Sequence, residues 1–167
     1  MSSDLRRKSR PFNSPLECGL RMLFILTAQA ERSADLQRLV NYDYLLVHSG
    51  DVSGGPKSLH PDVPFRGNEL LVKRDFVHAG LNAMFSRELI EKSFTIMGIM
   101  YRANELTFAF TKLLRSAYAD DLRSRSQWLA KRFGDMPDHE LETFISANVG
   151  KWGAEFERFT AARDLEP

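Results

Sequence analysis

The sequence predicts a mainly α-helical fold, and the segment 75–110 narrows that class further. Apolar residues first recur at helical spacing, at Val77, Leu81, Met84 and Phe85. After Glu88 the period changes to two, which is typical of a strand, and Gly98 marks a turn before a second alternating run. Asn104 then precedes a new helix as its N-cap. A helix, a hairpin and another helix form the back half of a winged helix-turn-helix. The predicted fold is therefore a winged helix-turn-helix-like core with a two-stranded wing and a C-terminal helical extension.

Length and composition limit the class of protein. A chain of 167 residues with 43% hydrophobic residues is expected to form one compact domain, or one domain with a helical extension. The net charge of +1 gives no overall electrostatic footprint for nucleic acid. Cys18 stands alone in an apolar helical pattern, which is consistent with a core residue and a reducing, cytoplasmic compartment. No apolar run approaches the roughly 20 residues of a membrane span.

The first two helices are predicted from their caps and apolar faces. Residues 1–12 form a basic, Ser-rich arm that is expected to be disordered. Ser14 and Glu17 make a capping box around Pro15, and the helix that follows is apolar nearly all round, as a central helix would be. Ser33 is predicted to cap the second helix, whose stripe consists of Leu36, Leu39, Val40, Leu46 and Val47.

The rest of the chain reads as a long loop, the wing and four further helices. The predicted ranges are 48–68 for the Gly- and Pro-rich loop, 69–87 for the third helix, 89–102 for the wing, 105–117 and 120–133 for the next two helices, and 135 onward for the last. We expect the arm 1–12, a winged-helix domain over 13–117, and C-terminal helices over 118–167 that pack on it.

Asp43 falls on the apolar stripe of the second helix. An unpaired carboxylate there would cost several kcal/mol, so we expect it to have buried partners. The long loop begins one turn later and contains Arg66. Asp43 is therefore predicted to pin the loop to the helices, through buried hydrogen bonds or an ion pair with Arg66, and a catalytic role is disfavoured.

No pattern in the chain predicts a catalytic, cofactor or metal site. The four histidines lack ligand spacing, and neither CxxC nor HExxH occurs. The run 54–58 resembles a phosphate-binding turn only superficially, because Pro56 interrupts its amide donors. His48, Ser49 and Asp51 supply the residue types of a hydrolytic triad, but neighbours in sequence seldom converge, and short polar side chains in a loop usually bond its own backbone. We expect no enzyme activity and no cofactor.

Two functions fit a winged helix, and the residues favour protein binding over DNA binding. DNA-reading versions join their helices by a tight turn of about 3–4 residues, whereas about twenty separate them here. Acidic residues are interleaved with the cations, and the wing tip, 95–98, is apolar. An exposed tip suits a protein groove, although its side chains could instead fold back onto the C-terminal helices. The candidate interface for a partner or for DNA comprises Lys73, Arg74, His78, Lys92, Ile96, Met97 and Arg102.

Several blocks of the chain resemble a known family. They lie at 13–17, 35–40, 43–51, 54–56, 58–61 and 67–72, together with the wing from Leu89 to Arg102. These blocks are similar to those of the second middle-component family of bacterial ABC-three-component systems, over about residues 12–133. This sequence departs from common winged helices at Glu88, where a glycine often eases the turn into the wing.

The resemblance implies a small, non-enzymatic subunit that bridges an SMC-like ABC ATPase and an effector protein. Lamassu-type anti-phage defence is one such system, with weak or indirect DNA contact possible and no membrane association. The alternative is a winged-helix DNA-binding regulator.

Overall fold

The computed structural model describes the backbone of residues 14–61 and 66–163, and the side chains of 14–61 and 69–152. The predicted arm, 1–12, lies outside the described residues. The helices are α1 (Pro15–Gln29), α2 (Leu36–Val47), α3 (Arg66–Phe85), α4 (Glu105–Leu113), α5 (Ala117–Phe133) and α6 (Asp138–Arg163), with a short 3-10 turn at Ser49–Asp51. The strands are β1 (Ala34–Asp35), β2 (Glu91–Thr95) and β3 (Gly98–Arg102).

The three strands form an antiparallel sheet in the order β1-β3-β2. β1 lies between α1 and α2, and β2 and β3 form a hairpin after α3. This succession of helix, strand, two helices and hairpin is the winged-helix arrangement, so the predicted mainly α fold with a wing is confirmed. The prediction lacked β1, whose Ala34 pairs with Tyr101 of β3.

The start of α2 differs from the prediction because β1 occupies the preceding residues. Asp35, and not Ser33, is the N-cap: its Oδ1 accepts a hydrogen bond from the amide of Arg38 at 2.8 Å. The short strand holds Asp35 in extended backbone, which is the conformation that an N-cap requires.

α1 is the central helix, as its apolar sequence predicts. The capping box at Ser14 is confirmed, with the Ser14 Oγ accepting from the amide of Glu17 at 3.2 Å. The helix packs closely on α3, where Gly80 lies against Gly19. A Cβ at Gly80 would lie 2.5 Å from the backbone nitrogen of Gly19, so this crossing requires glycine.

Glu88 takes the left-handed backbone conformation between α3 and the wing, with φ of 59°. A non-glycine residue there costs about 1 kcal/mol or more, and surrounding hydrogen bonds must hold it. The amide of Glu88 donates to the carbonyl oxygen of Phe85 at 2.9 Å, and its own carbonyl accepts from the Asn104 side chain at 2.9 Å. The wing is therefore anchored without the glycine found in common winged helices.

The C-terminal helices are fastened to α2 by Arg38. Its guanidinium donates to the carbonyl oxygens of Phe133 at 3.0 Å and Met136 at 2.7 Å, at the junction of α5 and α6. It also forms an ion pair of 2.5 Å with Asp138. The division into domains at residues 117 and 118 stays a prediction.

Several helix boundaries differ from the predicted ones. α3 begins at Arg66, three residues earlier than predicted. α4 ends at Leu113 and α5 already begins at Ala117, because Ser116 is its N-cap. Within the part of the chain that the structure describes, no helix is long and apolar enough to cross a membrane.

Candidate functional site

A buried ion cluster joins the first three helices. The Asp43 carboxylate, with no exposed surface, accepts from Arg21 Nε at 2.6 Å and from Arg21 Nη2 at 3.0 Å. Lys73 Nζ donates to Asp43 Oδ2 at 2.7 Å. Arg21 lies on α1, Asp43 on α2 and Lys73 on α3, so one carboxylate links all three. The expectation that Asp43 has buried partners is met.

The charges around Asp43 indicate that the cluster stabilises the fold and does not take part in proton transfer. Burial by itself would raise the pKa of Asp43, but Arg21 and Lys73 outweigh it and hold the pKa below its usual range. The carboxylate is therefore ionised at neutral pH, and both of its oxygens accept hydrogen bonds from cations. A group in that state is a poor general base, since its pKa is lowered and no part of the carboxylate is exposed to solvent.

The cluster continues toward the loop through Glu69 and His48. Glu69 Oε1 lies 3.7 Å from Lys73 Nζ and 2.9 Å from His48 Nε2. His48 is the C-cap residue of α2. Polar side chains therefore extend continuously from α1 to the point where the loop begins.

The loop, 48–61 in its described part, is tied to α2 and α5. The amides of Leu59 and His60 both donate to the carbonyl oxygen of Val47, at 3.0 and 3.1 Å. His60 Nε2 lies 2.9 Å from the hydroxyl of Tyr118 on α5, and Tyr44 donates its hydroxyl proton to Asp51 at 3.1 Å.

These ties correct the expectation for Asp43. The partners that the structure gives to Asp43 are Arg21 and Lys73, which belong to helices, and other residues tie the loop. The side chain of Arg66 lies outside the described residues, so its pairing stays a prediction.

The three residue types of a triad at 48–51 do not converge. His48 contacts Glu69, Ser49 Oγ donates to the carbonyl oxygen of Lys57 at 3.2 Å, and Asp51 accepts from Tyr44. The three side chains have different partners, and the Ser49 hydroxyl bonds the backbone of its own loop as expected, whereas His48 and Asp51 contact side chains of α3 and α2. Among the described residues, no three His, Cys, Asp or Glu side chains lie close enough together to hold a metal ion.

The predicted interface residues divide into those that are exposed and those that are engaged within the fold. Lys73 is only 2% exposed and bonded to Asp43, which corrects the expectation that it faces a partner. Arg74 and His78 are exposed on α3. Lys92 is half-buried, with its Nζ 5.0 Å from the Phe85 ring centroid and 5.7 Å from that of Tyr101. Arg102 is exposed and ion-paired with Glu91 at 2.6 Å.

The wing tip projects into solvent. Ile96 is 101% exposed and Met97 is 83% exposed, so the alternative in which they fold back onto the C-terminal helices does not hold in this structure. The tip is nevertheless hydrogen-bonded: Thr95 Oγ1 accepts from the amide of Met97 at 3.1 Å and donates to the carbonyl oxygen of Gly98 at 3.0 Å.

Three further apolar residues extend the tip into a larger exposed surface. Phe94 is 79% exposed, and it pairs across the hairpin with Ile99, so both lie on one face. Phe85, at the end of α3, is 43% exposed. We call the five residues Phe85, Phe94, Ile96, Met97 and Ile99 the wing surface. Sequence reasoning placed Phe94 on the same face as the buried Ile90, but it missed that the hairpin extends that face beyond the core.

Fold and surface together define a winged-helix protein whose wing offers apolar side chains in place of phosphate-binding cations. A family model for the ABC-three component (ABC-3C) system Middle Component 2 matches residues 11–155. The chain therefore belongs to that family, and the resemblance of its sequence blocks is confirmed. No curated protein and no solved structure matches the chain.

Proposed function

We propose that this chain is a non-enzymatic accessory subunit of an ABC-three-component system in bacterial anti-phage defence. In this role it bridges an SMC-like ABC ATPase and an effector protein through protein–protein contacts. Membership of a middle-component family supports association with the other components of such a system. The exposed wing surface is the observation that carries the proposal, because it gives the subunit a place to dock.

The wing surface has the properties of an interface and not of a DNA-contacting wing. Large exposed apolar side chains that lie together mark sites of protein association, and aromatic residues and methionine are enriched at interface cores. Burying a side chain of the size of Phe94, Ile96 or Met97 contributes about 1.5–3 kcal/mol. Association costs about 4–15 kcal/mol in lost freedom of the two proteins, so burial of these side chains offsets a large part of that cost and polar contacts around them must supply the rest.

The charges that DNA binding would need are largely engaged within the fold. Lys73 is buried on Asp43, and Arg102 is paired with Glu91. Lys92 is half-buried, and its Nζ donates to Asn82 Oδ1 at 3.3 Å. Arg74 remains exposed on α3 but bonds to a glutamine of α2. These pairings favour the accessory subunit over a winged-helix DNA-binding regulator.

Co-purification tests the proposal. The chain is co-expressed with the ATPase and effector encoded beside it, and capture of either is compared for the wild type and the double variant Ile96→Asp/Met97→Asp. Leu113→Asp is the matched control, because Leu113 is 76% exposed on α4 and lies outside the wing surface. We expect the wing variant to lose the partner and the control to retain it.

Full partner capture by the wing variant would overturn the assigned interface. Failure of the wild type to capture either component would overturn the subunit role itself. A gel-shift titration distinguishes the accessory subunit from the DNA-binding regulator. A regulator would bind DNA tightly, and its affinity would fall steeply with salt, because each phosphate contact releases counterions.

A further inference from the structure

β2 is an edge strand. Within the described part of the chain, the sheet order β1-β3-β2 leaves β2 paired only with β3, whereas β3 is paired on both sides. The five residues Glu91–Thr95 therefore present one row of backbone groups to β3 and a second row outward. An edge of this kind is a template onto which another strand can pair.

The register shows which backbone groups face outward. Thr95 and Gly98 flank the two-residue turn and are partners in the hairpin, so they form a hydrogen-bonded pair. Hydrogen-bonded and non-hydrogen-bonded pairs alternate along an antiparallel ladder. Lys92 and Phe94 are thus the residues whose N–H and C=O groups point away from β3. Tyr101, the partner of Lys92, is correspondingly paired with β1 on its other side.

Two of the usual protections of an edge strand, a proline and a bulge, are absent from β2. It contains no proline, and its register with β3 is unbroken over all five pairs, so no bulge twists it away. The Lys92 Nζ lies 5.0 Å from the Phe85 ring centroid and 3.3 Å from Asn82 Oδ1, and no carboxylate among the described residues pairs with it, so its charge remains available to an added strand. Beside this strand lies an open cleft of about 710 Å³, whose lining combines apolar and charged residues, among them Phe85, Ile90, Lys92, Glu31, Glu88 and Glu91.

We propose that β2 accepts an extended segment of a partner component as a fourth strand of the sheet. The backbone of Lys92 and Phe94 supplies the hydrogen bonds. The side chains on the inner face select the sequence: an apolar residue packs beside the 79% exposed Phe94, and an acidic residue two positions away pairs with Lys92. This inference rests on the proposed function, since it names how the accessory subunit holds its partner.

A pair of substitutions at Phe94 tests strand addition apart from side-chain docking. Phe94→Ala removes the side chain, and Phe94→Pro removes the side chain together with the outward N–H. Proline is tolerated at such an edge position because no ladder bond to β3 is lost, so both variants are expected to unfold at a similar temperature. With the co-expressed ATPase and effector as probes, we expect the proline variant to bind roughly ten-fold more weakly than the alanine variant, because a partner carbonyl is left unpaired.

Equal binding by the two variants would overturn strand addition. If Ile96→Asp/Met97→Asp also abolishes binding in that case, the wing surface docks through side chains and the proposed function stands. A wild type that captures no component overturns the proposed function itself.

Hydrogen exchange in the wild-type chain gives a second readout that needs no variant. The amides of Lys92 and Phe94 are expected to exchange rapidly in the free chain and to become protected in the complex. Unchanged rapid exchange in the complex would overturn the proposal. Protection that grows with the concentration of this chain alone would also overturn it, because the added strand would then come from a second copy.

Discussion

Replacing Asp43 by asparagine removes the charge that holds three helices together while it preserves the shape of the side chain. Arg21 and Lys73, which are 1% and 2% exposed, would remain buried beside a neutral amide. Removing one partner of a buried ion pair costs about 3–5 kcal/mol, because the remaining charge loses its compensation. For a chain of this size, each kcal/mol lowers the midpoint of thermal unfolding by about 2–4 °C, so we expect a decrease of roughly 6–20 °C.

The same variant has a signature in its pH dependence. Arg21 and Lys73 outweigh burial and hold the pKa of Asp43 in the folded chain below the value of 3.8 expected for the unfolded chain. The stabilisation from the ionised carboxylate is thus complete above pH 3.8 and is lost as the pH falls through the lower folded pKa. The wild type should lose stability through this window, and Asp43→Asn should lose less because asparagine does not titrate.

The assay is urea unfolding followed by circular dichroism, from pH 7 downward. Asp121→Asn is the matched control, because Asp121 is an exposed acidic residue on α5. The control is expected to unfold as the wild type does. An Asp43→Asn chain with wild-type stability at pH 7, or with an equal loss in acid, would refute the assigned role of the cluster.

Two further predictions concern a buried histidine and a close helix crossing. Burial, as the largest cause, lowers the pKa of His60 from 6.5 to about 4. The folded chain then binds fewer protons than the unfolded chain, so its unfolding free energy should fall by about 2 kcal/mol between pH 7 and pH 5, and urea titrations of His60→Gln should show a flatter profile. Gly80→Ala should destabilise the fold by about 1–3 kcal/mol, because its Cβ meets the backbone of Gly19. Gly150 on α6 is the control, because a Cβ at this position meets nothing within 4 Å. Gly150→Ala should stabilise the fold by a few tenths to about 1 kcal/mol in thermal melts. Equal shifts of the melting temperature in the two variants would contradict the close crossing of α1 and α3.

The order of helices and hairpin could be predicted from the sequence, because each segment has a clear apolar periodicity and is bounded by capping or turn residues. The change of period after Glu88 and the turn at Gly98 predicted the wing. β1 was not predicted, because two residues are too few to show alternation. Its pairing also depends on β3, which lies far away in sequence. The cap of α2 was misplaced for the same reason.

The burial of Asp43 was predicted from its helical stripe, but its partners were not. Arg21 is the one charged residue between Cys18 and Leu26, in a helix apolar on nearly every side, which signals a buried partner. Lys73 lies four residues before the buried Val77, so helical spacing placed it on the inner face. The candidate interface nevertheless includes Lys73, which this spacing places on the buried side of α3.

The exposed wing surface could be predicted only in part. The sequence identified Ile96 and Met97 as an apolar tip, but alternation assigned Phe94 to the face of Ile90. Whether that face is covered depends on how far the hairpin extends beyond the helices. That is a property of the packed fold, and no local pattern contains it.

Site-specific photo-crosslinking at Met97 tests most directly the claim that the wing is a docking surface for a protein. A photoreactive amino acid replaces Met97 in the full chain, which is co-expressed with the ATPase and the effector. The DNA of the host cell is present as the competing partner. Asp121, an exposed residue of α5, serves as the control position. The account predicts a crosslink from position 97 to the ATPase or the effector and none from position 121. Crosslinks from position 97 to DNA alone would contradict it.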